Sequence, residues 1–209
     1  FTYVAMDAAG NLSNPAKVTV RIEKAGTSVT YADMEGHSAY KSALRLAEEG
    51  IFVGEYVNGS YFFNPDTPVT RSEFLTMAMA VAGLEPMDQV SVTGFADDQA
   101  IPTWAKGYVS SALKAGVIQG TRNEEGQVIF SPDTVITRAE ATVMLNNLLQ
   151  ITDVAVQTWG TVGVSEDTGS HWAGQAAVNL AAAGVIRTED SALQQLDAQL
   201  TRADVAELL

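Results

Sequence analysis

The chain has 209 residues, room for one or two ordinary domains or a few small repeats, and its 46% apolar and 18% charged content is that of a folded protein. A formal net charge of −13 argues against nucleic acid or an anionic membrane as partner, so an acidic ligand would need a local cationic pocket. Absence of cysteine excludes thiol catalysis, disulfides and cysteine-based zinc sites, and no apolar run reaches the ~18 residues of a membrane span.

Residues 1–25 stand apart from the rest. Two stretches of β-formers, Phe1 to Met6 and Ala16 to Ile22, flank turn chemistry at Asp7-Ala-Ala-Gly-Asn11 and Ser13-Asn-Pro15. This predicts a β-hairpin. A lone hairpin is marginal in water, so it is expected to be the tail of a larger β-domain or to pack on the helical repeats C-terminal to it. It resembles the closing strands of bacterial immunoglobulin-like domains, which implies cargo domains upstream and a chain that begins mid-domain. Asp7 and Asn11 read as a solvated turn in preference to a calcium site. Residues 26–30 read as a linker.

Three copies of one pattern occupy the rest of the chain, at 31–90, 91–157 and 158–209. Ser38, Trp104 and Trp172 share a column, each followed by Ala and, further on, by Gly50, Gly116 and Gly184. Between them, apolar residues recur at helical spacing: Ala39, Ala43, Leu46 and Ala47; Ala105, Val109, Ala112 and Leu113; Ala173, Ala177, Leu180 and Ala181. The glycine is the expected left-handed stop of this helix. An apolar pair expected to be buried comes next: Ile51-Phe52, Val117-Ile118, Val185-Ile186. A polar loop then leads to a second helix carrying Phe74, Met77, Ala78 and Val81, or Ala141, Met144, Leu145 and Leu148. Met77, Met79 and Met144 read as core.

The second helix opens on Thr70-Arg-Ser-Glu73, Thr137-Arg-Ala-Glu140 or Thr201-Arg-Ala-Asp204. Thr with an acid three residues on is a capping box, in which each side chain satisfies a backbone N–H of the other residue. The arginine has no such local reason. It sits where the helix dipole is positive and a cation is mildly disfavoured. Yet three of the seven arginines, Arg71, Arg138 and Arg202, occupy this place. A helix N-terminus offers N–H groups to an anion, and an arginine fork beside it can grip a carboxylate. Glycines after the first helix, Gly54 and Gly120, would let a ligand approach the backbone. Other readings stay open. The arginines can pair with the acid four residues before each Thr (Asp66, Asp133, Asp197). Asp33 and Asp97 can cap the first helix, and Trp104 and Trp172 can fill the space between helices.

The ordered landmarks Phe95-Ala-Asp97, Trp104-Ala105, Gly116-Val-Ile-Gln-Gly120, Phe130-Ser-Pro132 and Ile136-Thr-Arg-Ala-Glu140 resemble the S-layer homology family. The first copy departs at Ser38. The third departs at Thr188, Gln194 and Leu196, and its early acid is Glu166 or Asp167. The resemblance implies a mainly α fold of three tandem helix-loop-helix repeats in a pseudo-three-fold arrangement. It also implies noncovalent anchoring of a secreted, extracellular bacterial protein to the cell wall, with a pyruvylated secondary cell-wall polysaccharide held in grooves between repeats. The implied ligand-binding positions are Arg71, Arg138, Arg202, Asp33 and Asp97, with Trp104 and Trp172. Arg71 and Arg138 keep the whole surrounding loop, whereas Arg202 has lost much of its setting. On this reading Arg138→Ala weakens binding with little change in melting temperature. No catalytic residue, metal site or cofactor is expected. The isolated His37 and His171 lack convergent carboxylates. A glycoside hydrolase with paired carboxylates and a helical-repeat adaptor are the competing functions.

Overall fold

A computed structural model describes residues 2–17, 29–155, 159–162, 166–187 and 195–209. At the start, β1 (Thr2–Tyr3) pairs antiparallel with β2 (Ala16–Lys17). Asp7 organises the intervening turn. Its Oδ2 accepts from the Asn11 side-chain amide and its Oδ1 from the backbone N–H groups of Ala9 and Asn11. These bonds, the side-chain one first, hold its carboxyl below the ordinary value. Residues 18–28, expected to hold the rest of the second strand and most of the linker, lie outside the described residues.

The remainder is mainly α. The first helices of the copies are α1 (Tyr40–Glu48), α3 (Thr103–Lys114) and α7 (Gly174–Ala182). The second helices are α2 (Arg71–Val81), α4 (Arg138–Leu149) and α8 (Arg202–Leu208). Two short helices, α5 (Trp159–Val162) and α6 (Glu166–Ser170), precede α7. Local chemistry sets the boundaries. All three capping boxes are formed in both directions. Gly50, Gly116 and Gly184 end the first helices at φ of 71°, 73° and 72°, a conformation that excludes most side chains.

The expected polar loops contain small hairpins. β3 (Glu55–Val57) pairs with β4 (Ser60–Phe62) through a two-residue turn, Asn58-Gly59, with φ of 51° and 86°. Positive φ at both positions matches the turn twist that two-residue hairpins prefer. In the second copy β5 (Thr121–Arg122) pairs with β6 (Val128–Ile129). These strands are too short and too exposed to show period-two patterning. Residues 188–194, including Thr188 and Gln194, lie outside the described residues.

Helices pair across copies: α2 packs on α3, α4 on α7, and α8 on α1, so the last described helix meets the first. One core draws on all three copies, with Phe74, Leu75, Val109, Phe130, Ile136 and Leu200 among its members. Met77, Met79 and Met144 are buried as their spacing predicts. Val185 is a correction: it is 40% exposed, while Ile186 beside it is buried. In the other copies Val117 and Ile118 are both buried, and Ile51 and Phe52 are half-buried against the core. Among the described residues no helix is long and apolar enough to cross a membrane.

Candidate functional site

The branched residue before each capping Thr lies at the centre of the molecule. Ile136 N–H donates to the Val69 carbonyl, Leu200 N–H to that of Ile136, and Val69 N–H to that of Leu200, at 2.9, 3.0 and 3.0 Å. The three hydrogen bonds close a triangle, and all three side chains are buried. Outside it, the first two N–H groups of each second helix also cross between copies. Arg71 and Ser72 donate to Thr134 and Pro132, Arg138 and Ala139 to Ala198 and Leu196, and Arg202 and Ala203 to Thr67 and Pro65. This overturns the expectation that these helix starts offer free N–H groups to an anion. Buried backbone donors are rarely left unpaired, and here the neighbouring loop has taken them.

The arginine side chains follow the same circuit. Arg71 donates from Nε to the Phe130 carbonyl (2.9 Å) and from Nη1 to Glu140 Oε1 (2.8 Å). Its guanidinium carbon lies 5.3 Å from the Phe130 ring centroid. Arg138 donates from Nη2 to Asp204 Oδ1 (3.3 Å), and its buried Nε has no partner among the described residues. Arg202 donates from Nη1 to the Phe63 carbonyl (3.1 Å) and to Glu55 Oε1 (3.2 Å), with its guanidinium carbon 5.0 Å from the Phe52 ring centroid. None of these bonds goes to Asp66, Asp133 or Asp197; the arginines brace neighbouring copies, not their own loops. Of the last three, Asp197 instead meets His171 Nε2 at 3.2 Å.

Asp33 and Asp97 do not cap the first helices. Asp33 accepts from the N–H groups of Phe63 and Asn64, and Asp97 from those of Phe130 and Ser131, each with both carboxylate oxygens. They hold the loop whose carbonyl receives the arginine. The histidines stand at the start of first helices instead: His37 Nδ1 accepts from Ala39 N–H and His171 Nδ1 from Ala173 N–H. Gly54 and Gly120 are needed by the fold itself. A Cβ on Gly54 would lie 2.4 Å from the Phe62 carbonyl oxygen, and one on Gly120 2.5 Å from the Phe95 ring.

Trp104 and Trp172 are 57% and 65% exposed, so they do not fill the space between helices. The small residue that follows each makes the close helix contact instead: Ala105 and Ala173 are fully buried. Trp104 borders a cavity of about 260 Å³ with Arg202, Phe52, Glu73, Thr76 and Met77. This cavity joins residues of all three copies. Arg202 is the cation, Phe52 and Trp104 are aromatic walls, and Thr76 and Glu73 supply polar groups. The rest of the lining is apolar (Leu46, Ile51, Phe63, Val69, Met77 and Val205), so the set suits a ligand with an apolar face and one anionic group. Sequence reading missed Phe52, Glu55 and Thr76, because their positions relative to Arg202 come from packing between distant copies.

At the corresponding places other side chains meet. Arg71 and Glu140 form their ion pair between the first and second copies. Between the third and first, Ser38 Oγ donates to Glu207 Oε1 at 2.9 Å, where the other copies carry tryptophan.

Residues 30–75 and 94–142 match the model of the S-layer homology domain. The chain is 30% identical over 159 residues to a "Surface-layer 125 kDa protein" of Lysinibacillus sphaericus, covering 70% of this chain and 13% of that protein. It is 27% identical over 159 residues to a "Cellulosome-anchoring protein" of Acetivibrio thermocellus, covering 69% and 34%. Over 124 residues it is 31% identical to an "Exoglucanase XynX" of Acetivibrio thermocellus, covering 57% and 11%. The chain thus spans a minor part of each of these relatives. Within this chain, residues 30–75 and 94–142 are thus two S-layer homology domains.

Proposed function

We propose that this chain anchors a bacterial surface protein noncovalently to the cell wall, by binding an acidic secondary cell-wall polysaccharide. Residues 158–209 act as a third S-layer homology repeat, and the three repeats form a pseudo-three-fold unit. The closed triangle of Val69, Ile136 and Leu200 and the circuit of arginines support that arrangement. The observation that carries the function is the cavity where Arg202 meets Phe52 and Trp104. A sugar face stacks on Trp104, and a carboxylate, as in a pyruvate ketal, binds the Arg202 guanidinium. An exposed ion pair contributes only ~0.2–1 kcal/mol, so the aromatic walls and the loss of water around the sugar supply the rest. Relatives named as surface-layer and cellulosome-anchoring proteins accord with this reading.

A hydrolase reading is disfavoured by the state of the repeated acids. Glu73, Glu140 and Asp204 each accept from the backbone N–H at their own helix start, so none is an uncommitted acid or base. Sedimentation with purified cell-wall sacculi tests the proposal. The protein is expected to pellet with sacculi that retain their polysaccharide and to stay in solution when it has been stripped. Equal pelleting in both would refute it.

A further inference from the structure

Arg202 breaks the rule that the other two arginines follow. Arg71 and Arg138 each reach the capping carboxylate of the next copy, Glu140 at 2.8 Å and Asp204 at 3.3 Å. The corresponding partner of Arg202 is Glu73, which lines the cavity and is bonded to Thr70 through Oε2. Arg202 turns instead to Glu55, the first residue of β3. The Glu55 side chain is 55% exposed, while that of Arg202 is 17% exposed. A nearly buried cation is therefore held by a carboxylate standing in water at the end of a short hairpin.

We propose that Glu55 is an internal competitor for the ligand's carboxylate. It occupies the Arg202 guanidinium in the free protein, and an acidic ligand displaces it. This inference rests on the reading of the cavity as a polysaccharide site. The exchange swaps one carboxylate for another and leaves no buried charge unpaired. Giving up the Glu55 bond costs little, because a half-exposed ion pair is weak. A tethered carboxylate nevertheless acts at an effective concentration of order millimolar, so a free monocarboxylate in dilute solution does not dislodge it. A ligand that adds bidentate contact with Arg202 and stacking on Trp104 does. Glu55 thereby sets selectivity for a carboxylate presented on a sugar over a carboxylate alone.

The test uses the full chain and titration calorimetry with a pyruvylated disaccharide, with sodium acetate as the bare carboxylate. Glu55→Gln is expected to tighten disaccharide binding about two- to fivefold, the weight of one exposed pair. Glu124→Gln, an exposed acid on the β5–β6 turn, controls for net charge and is expected to change nothing. In an Arg202→Ala background the gain from Glu55→Gln is expected to vanish. If Glu55→Gln lowers the melting temperature, Glu55→Thr, which suits a strand, is measured in its place. Unchanged or weaker binding by a stably folded Glu55 variant overturns the inference, as does a gain that survives Arg202→Ala. If neither wild type nor Glu55→Gln binds the disaccharide or intact sacculi, the polysaccharide reading itself is refuted and Glu55 loses its role with it.

Discussion

Truncating Arg71 separates a structural arginine from a ligand-binding one. Its side chain is 8% exposed and bridges the first and second copies through the Phe130 carbonyl and Glu140. Arg71→Ala removes both bonds and the contact with the Phe130 ring. It also leaves the Glu140 carboxylate, 25% exposed, without its cation. Removing one partner of a buried pair costs ~3–5 kcal/mol. Glu140 keeps some water and its bond from Thr137 N–H, which places the loss at the lower end, about 3 kcal/mol. For a domain of this size each kcal/mol shifts the melting temperature by ~2–4 °C, so a fall of roughly 6–12 °C is expected by scanning calorimetry at pH 7. Adding Glu140→Gln should restore part of that loss, because the orphaned charge is gone. A variant that loses sacculus binding while melting within about 2 °C of wild type would refute the structural assignment.

Arg138→Ala is expected to be destabilising as well, by about 2 kcal/mol: its ion pair is longer, at 3.3 Å, and its Nε has no partner to lose. This reverses the expectation drawn from sequence, and thermal melting decides it. Trp104→Ala should leave melting within about 2 °C of wild type, because the ring is largely exposed, and weaken sacculus binding about fivefold. Acid stability should depend on Lys106. Its ammonium, 2.6 Å from Asp98, and bonds from the Thr93 N–H and hydroxyl hold the Asp98 carboxyl at about 2, below its ordinary 3.8. A depressed carboxyl stabilises the fold above its unfolded value and loses that contribution as pH falls from about 4 through 2. Lys106→Met should therefore melt lower than wild type at pH 5, with the gap closing by pH 2. A gap that does not change with pH would show that Asp98 is not its source.

Local signals in the chain were clear because they act over a few residues. Thr70, Thr137 and Thr201 with their acids announce the second helices, and Gly50, Gly116 and Gly184 end the first. What distance hides is the identity of partners. Glu140 reads as a cap from sequence alone, yet its second oxygen belongs to Arg71 in another copy. Asp97 looks like a helix cap because a helix comes after it, but its acceptors serve Phe130 and Ser131 across the loop. The helix-start N–H groups could be counted from the sequence; that a neighbouring carbonyl would take them could not.

The three tetrapeptides are nearly alike, and for that reason the motif does not single out the open site. Each arginine is buried by the same circuit, and the differences that matter lie outside the motif. One turn into the second helix stand Thr76, Val143 and Glu207, and across from them the tryptophan column holds Trp104, Trp172 and Ser38. Ser38 and Glu207 meet through a hydrogen bond. Arg71 is fixed by Glu140. At Arg202 the capping Glu73 is left to the cavity, the tryptophan stands at its rim, and the arginine is held by an exposed carboxylate on a hairpin end. Sequence reading gave this arginine the least weight because its surrounding loop departs most from the pattern. Yet the cavity beside Arg202 is built from Phe52, Glu73 and Thr76 of the first copy and Trp104 of the second, so the landmarks lost from the third copy's own loop do not decide what Arg202 can reach.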